Sequence, residues 1–73
     1  MKSNKINNRL EAIGQRIQNF RKKQRVSQIE LAVEVGIDRS YLSEIENGRT
    51  NSSINILYAI ADALKIDITD LIQ

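Results

Sequence analysis

Apolar residues recur along this chain at three- and four-residue steps and never alternate over the length a strand needs. Leu10, Ile13, Ile17 and Phe20 mark a first amphipathic helix from about Asn8 to Lys23. Ser27 and Glu30 have the spacing of a capping box, and Leu31, Ala32 and Val35 give the following helix one apolar face. Gly36 can take the left-handed conformation that ends such a helix. Asp38 is placed to cap a third helix, with Leu42 and Ile45 apolar and Asn47-Gly48 as its stop. A polar loop from Arg49 to Ser52 leads to Ser53, which caps a fourth helix burying Ile56, Leu57, Ile60, Ala61 and Leu64. Lys65 and Ile66 break the pattern, and Asp67 opens a last turn or two carrying Ile68, Leu71 and Ile72. The pattern predicts an all-α, compact five-helix bundle over residues 8–73, preceded by a flexible polar N-terminus of residues 1–7. Gly14 either weakens the first helix or lets another helix approach it closely.

The second and third helices are joined by so short a Gly-containing turn that they form a helix-turn-helix unit. The second helix of such a unit can lie in the major groove of double-stranded DNA. Charge strengthens that expectation. The formal net charge is only +2, but the chain through Arg25 carries eight basic residues against Glu11 alone, and the remainder carries three against eight acids. Such asymmetry suits an anionic partner on one side of the molecule, although a solvated basic helix has the same composition.

Composition removes other classes. With no Cys and no His, the chain has no disulfide framework, no thiolate metal site and no imidazole base. Its carboxylates have no Gly-rich phosphate loop beside them, so an enzyme, a metal or a cofactor is not expected. No apolar run approaches the roughly 20 residues of a membrane span, and the N-terminus lacks a signal peptide's apolar segment, so a cytoplasmic location is expected. Seventy-three residues make a marginal core, and oligomerisation would supplement it. Ile54, Tyr58, Ile66, Ile68 and Ile72 exceed what one small core can bury, which points to a homodimer face across the fourth and fifth helices.

The run S-Q-x-E-L-A-x-x-x-G-I-D followed by S-x-I-E-N-G resembles the Cro/repressor-type helix-turn-helix family, often called the Xre family. The resemblance extends from about Ile13 to Leu71. Within the family, Asp38-Arg39-Ser40-Tyr41 and Arg49 to Ser53 are similar to the controller proteins of restriction-modification systems. Apolar Ile29 and Val33 depart from the usual charged pattern of the second helix, as does the missing Pro before Ser53. The resemblance implies a dimeric regulator of transcription on a palindromic operator, with RNA polymerase as a further partner. It also implies that Gln28 meets the DNA backbone and that Arg21 and Glu46 form a structural ion pair. A phage-type repressor or DNA-binding antitoxin shares much of the motif, and a helical protein-interaction module is the alternative from another class.

The side chains themselves suggest how contacts would divide. Arg39 presents paired donors that match O6 and N7 of guanine; a surface ion pair with Asp38 or Glu44 is the competing use. Ser40, Tyr41, Ser43 and Glu44 complete the candidate base-reading set, with Tyr41 equally suited to packing inward. Ser27 and Gln28 at the start of the second helix, and Asn47, Arg49, Thr50, Asn51 and Ser52 after the third, are candidates for phosphate contact. A plain solvated turn would also account for the loop residues. Ile29 and Val33 could form a small exposed patch.

Overall fold

The computed structural model describes the backbone of residues 5–73 and the side chains of residues 8–73. Five helices follow in order: α1 (Lys5–Lys23), α2 (Gln28–Val35), α3 (Arg39–Glu46), α4 (Ile54–Leu64) and α5 (Thr69–Ile72). α1 starts three residues earlier than its apolar pattern suggested, because polar residues can extend a helix without adding to its buried face. Of the expected flexible segment, residues 1–4 lie outside the described residues, and Lys5 to Asn7 are helical.

The helices pack around Ile17, Leu31, Ala32, Leu42, Ile45, Leu57, Ile60, Ala61, Leu64 and Leu71, all buried. Each helix gives its apolar stripe to this cluster, and Ile13, Phe20, Val26, Val35, Ile37 and Ile56 close its rim. α1 crosses the end of α3 at Gly14. A Cβ there would collide with the carbonyl oxygens of Ile45 and Glu46, so the glycine permits the close approach.

The caps follow the sequence except at two acids. Ser27 and Glu30 form the capping box, and Ser53 Oγ accepts from the Ile56 amide at 3.2 Å. Asp38 sits at the N-cap of α3 but makes no side-chain capping bond. Asp67 lies one residue before the N-cap of α5, where Oδ1 accepts from the Thr69 amide and hydroxyl, each at 3.1 Å, and the Asp67 amide donates to Asp70 Oδ2 at 3.1 Å. Those Thr69 bonds hold the Asp67 carboxyl below its ordinary pKa. α1 and the residue that follows it close two helix ends at a distance. Gln24 Nε2 donates to Leu64 O at 2.7 Å, and Arg16 Nη1 donates to Leu71 O at 3.0 Å.

Candidate nucleic-acid interface

α2 and α3 are joined by Gly36-Ile37-Asp38, with Gly36 left-handed at φ 87°. The turn amides of Gly36 and Ile37 both donate to Ala32 O, at 2.8 and 3.0 Å, which holds the two helices at a fixed angle. A polar cluster locks the other end of the unit. Glu46, only 3% exposed, accepts from Arg21 Nε at 2.7 Å on Oε2 and from Arg21 Nη2 at 3.0 Å on Oε1. Arg21 Nη1 also donates to Val26 O at 2.9 Å. Gln28 Nε2 donates to Glu46 Oε1 at 3.0 Å, with Gln18 Nε2 at 3.4 Å. One buried carboxylate therefore ties together α1, the first residue of α2 and the last residue of α3. The guanidinium is bidentate, and no buried side-chain N or O among the described residues is left without a partner.

This geometry fits Arg21 and Glu46 as structural, and it changes the picture of Gln28. Its amide is an internal tie, so only one N–H of that amide remains to donate to a phosphate. Ser27 is similarly engaged. Its Oγ accepts from the Glu30 amide at 3.0 Å and its own amide donates to Glu30 Oε1 at 2.8 Å. Hydrogen bonding to the carboxylate by the Ser27 amide first, and by the Ser27 hydroxyl second, holds the Glu30 carboxyl below its ordinary pKa.

Arg39 and Ser40 are exposed on the first turn of α3. Arg39 makes no ion pair among the described residues, so the competing contact with Asp38 or Glu44 is not formed. Because Asp38 does not cap, the first amides of α3 have no side-chain acceptor there. Tyr41 is half-buried and packs on the core, the inward use. Ser43 is half-buried beside Asn47, whose Nδ2 lies 3.4 Å from Ser43 Oγ. Glu44 faces Arg49 at 3.9 Å in an exposed pair that contributes little to stability. Asn51 is exposed, and Thr50 and Ser52 are half-buried in the loop before α4. The tie through Glu46 brings Gln28 to the end of α3 that Asn47 and Arg49 follow, and Arg39 and Ser40 stand at the other.

A family model described as helix-turn-helix matches residues 17–71. The chain belongs to this helix-turn-helix family. It is 40% identical over 60 residues to the immunity repressor protein of Bacillus phage phi105, covering 82% of this chain and 42% of that one. Among solved structures it is similar to the restriction-modification controller protein C.AhdI of Aeromonas hydrophila, with a TM-score of 0.83 and 37% identity over 85% of this chain and 94% of that one. It is also similar to the biofilm regulator SinR in complex with DNA, with a TM-score of 0.77 and 42% identity over 84% of this chain and 98% of that one. The chain spans about two-fifths of the length of the phage repressor it matches.

The helix-turn-helix chain divides its remaining candidates between surface and core. Ile54, Tyr58 and Ile72 are exposed, whereas Ile66 and Ile68 are half-buried against the protomer's own core. The expected apolar surplus on α4 and α5 is therefore smaller than the sequence suggested. Ile29 and Val33 are exposed on α2, Val33 to 75%. Arg16 lies against α5, and Lys22, Lys23 and Arg25 are exposed, Lys23 Nζ standing 5.8 Å from the Phe20 ring centre. Sequence reasoning missed the polar service of Gln18 and Gln24. An uncharged side chain on an amphipathic helix carries no signal of which distant carbonyl or carboxylate it will meet. No described helix is long and apolar enough to cross a membrane.

Proposed function

We propose that this chain is a sequence-specific, DNA-binding regulator of transcription that acts as a homodimer on a palindromic operator. The observation that carries the reading is the locked α2–α3 unit with Arg39 unpaired and exposed at its outer end. A cation left free on a rigid helix suits guanine O6 and N7, with Ser40, Ser43, Glu44 and the outer edge of Tyr41 meeting adjacent base edges. Ser27, Gln28, Asn47, Arg49, Thr50, Asn51 and Ser52 hold the phosphates on either side. The likeness to SinR, solved in complex with DNA, supports the docking mode, and the likeness to C.AhdI supports a restriction-modification controller. Such a controller would act on its own promoter and on a restriction endonuclease gene, in the cytoplasm, without cofactor or bond chemistry.

Ile54, Tyr58 and Ile72 supply the exposed part of the dimer face, with Ile66 and Ile68 beneath it. A two-fold dimer places its half-sites about 34 Å apart, one helical turn of DNA. A phage-type repressor is the second reading, favoured by the identity to the phi105 immunity repressor. A gel shift and footprint on the DNA upstream of the gene test the proposal. Two symmetric protected half-sites are expected, with affinity that falls steeply with salt. Equal affinity for scrambled DNA, or a strict monomer in sedimentation, would overturn it.

A further inference from the structure

The connection from α1 to α2 holds an arginine where the backbone favours glycine. Arg25 is left-handed there, at φ 61°. Its backbone is clamped on both sides. The Gln24, Arg25 and Val26 amides donate to Phe20 O, Lys22 O and Arg21 O at 3.1, 3.0 and 3.0 Å. Arg21 Nη1 donates back to Val26 O at 2.9 Å, so the turn hangs on the same guanidinium that holds Glu46 and, through it, Gln28. Two other turns, at Gly36 and Gly48, meet the left-handed requirement with glycine. An L-residue at Arg25 bears a conformational cost, which points to a use for its side chain.

That side chain is exposed and pairs with no carboxylate among the described residues. Arg25 and Ser27 are both exposed, on either side of Val26, which packs on the core. Two residues span at most about 7 Å, so Arg25 stands close to the start of α2. Successive phosphates of one strand are about 3.4 Å apart along the duplex axis, within reach of a long cationic side chain. We propose that Arg25 is a further DNA contact, gripping the phosphate next to the one met at Ser27 and Gln28. The inference rests on the DNA reading above and extends the gripped backbone beyond α2 without reading a base. The competing use is local, since a cation near the last carbonyls of α1 favours the helix dipole and needs no DNA.

The two uses part on Arg25→Gly, which relieves the backbone and removes the cation. Urea unfolding should show a midpoint no lower than that of the unaltered chain. Binding to a duplex of the upstream DNA, measured from low to moderate salt, should weaken in the same variant. A dimer carries two copies, so the slope of log K against log salt should flatten by about 1.8, and affinity should fall at least about tenfold at ~0.1 M salt. A scrambled duplex should lose as much, as a phosphate contact requires. Arg25→Asn, which tolerates the left-handed turn without charge, should behave like the glycine variant, and Arg25→Lys should keep the slope. An unchanged slope in the glycine and asparagine variants would overturn the proposal, and with a lowered urea midpoint it would assign Arg25 to the end of α1. Equal loss in Arg25→Lys would also overturn it. So would equal flattening by Lys23→Gln, whose ammonium stands over Phe20, because diffuse charge would then account for the effect. If the unaltered chain shows no salt-dependent binding, the DNA reading fails and takes this inference with it. Full binding that ignores Arg25 sinks the inference alone.

Discussion

The two ends of the bundle are held by different forces. At one end Glu46 gathers Arg21, Gln28 and Gln18 into a buried polar knot between α1, α2 and α3. At the other, Leu57, Ile60, Ala61, Leu64 and Leu71 close α4 and α5 by apolar contact, with Arg16 of α1 and the adjoining Gln24 capping the last carbonyls. Apolar packing is non-directional, and its strength follows the area removed from water. A bidentate guanidinium–carboxylate pair fixes an angle as well as a distance. The directional contact lies where helix orientation decides whether Arg39 can meet a base edge. The non-directional contact lies where only closure of the core is required.

The largest effect should come from cutting the knot. Glu46→Ala strands the Arg21 charge at 8% exposure and frees Gln28, and should cost about 3–5 kcal/mol in urea unfolding. Leu64→Ala should cost a similar amount, about 2–5 kcal/mol, through the cavity it leaves. The two should part company on repair. Arg21→Met combined with Glu46→Leu removes both charges and should recover most of the stability, as buried pairs replaced by apolar groups often do. DNA affinity should stay low, because Gln28 has lost its anchor and the α2–α3 angle its directional tie. A repaired protein with full affinity would show that packing alone sets the orientation.

A smaller effect separates reading from gripping within the α3 region. Arg39→Ala should cost about 1–3 kcal/mol on the cognate operator, and less on DNA already changed at the contacted base pair. Arg49→Ala should weaken cognate and scrambled DNA alike, as a phosphate contact does. Neither change should move the unfolding midpoint much, since Arg39 is unpaired and the Arg49–Glu44 pair is exposed. Uniform weakening by Arg39→Ala at one salt concentration would make it a phosphate ligand and pass base reading to Ser40, Ser43 or Glu44.

The helices were legible in the sequence because burial imposes periodicity: Ile17, Leu31, Leu42, Ile60 and Leu71 are all at apolar positions of their helices. Gly14 was legible as a choice between weakness and close approach, and the carbonyls of Ile45 and Glu46 decide it. The direction of long polar side chains was not legible. Gln28 turns inward to Glu46, and Arg16 turns to Leu71 O. A side chain with several rotatable bonds meets whatever acceptor tertiary packing brings near, and local spacing does not encode that. Ile66 and Ile68 read as surplus for a related reason: the sequence does not reveal how much of a short terminal segment folds back on the core.

The smallest effects contrast the left-handed caps of the two regions. α2 ends on Gly36 at φ 87°, and α4 ends on Lys65 at φ 58°. A Cβ at Gly36 would meet nothing within 4 Å, so Gly36→Ala tests backbone conformation without steric overlap. It should lower stability by about 1 kcal/mol, the cost of holding an L-residue in the left-handed region. Lys65 already bears that cost, so Lys65→Gly should raise stability, though by less than about 1 kcal/mol, because glycine also loosens the unfolded chain. Urea midpoints at unchanged slope would read both changes. Opposite signs are expected. If Lys65→Gly destabilises instead, the stem of Lys65 must contribute packing at the end of α4 that outweighs its backbone strain, and the α4–α5 end would then depend on a specific side chain more than the comparison allows.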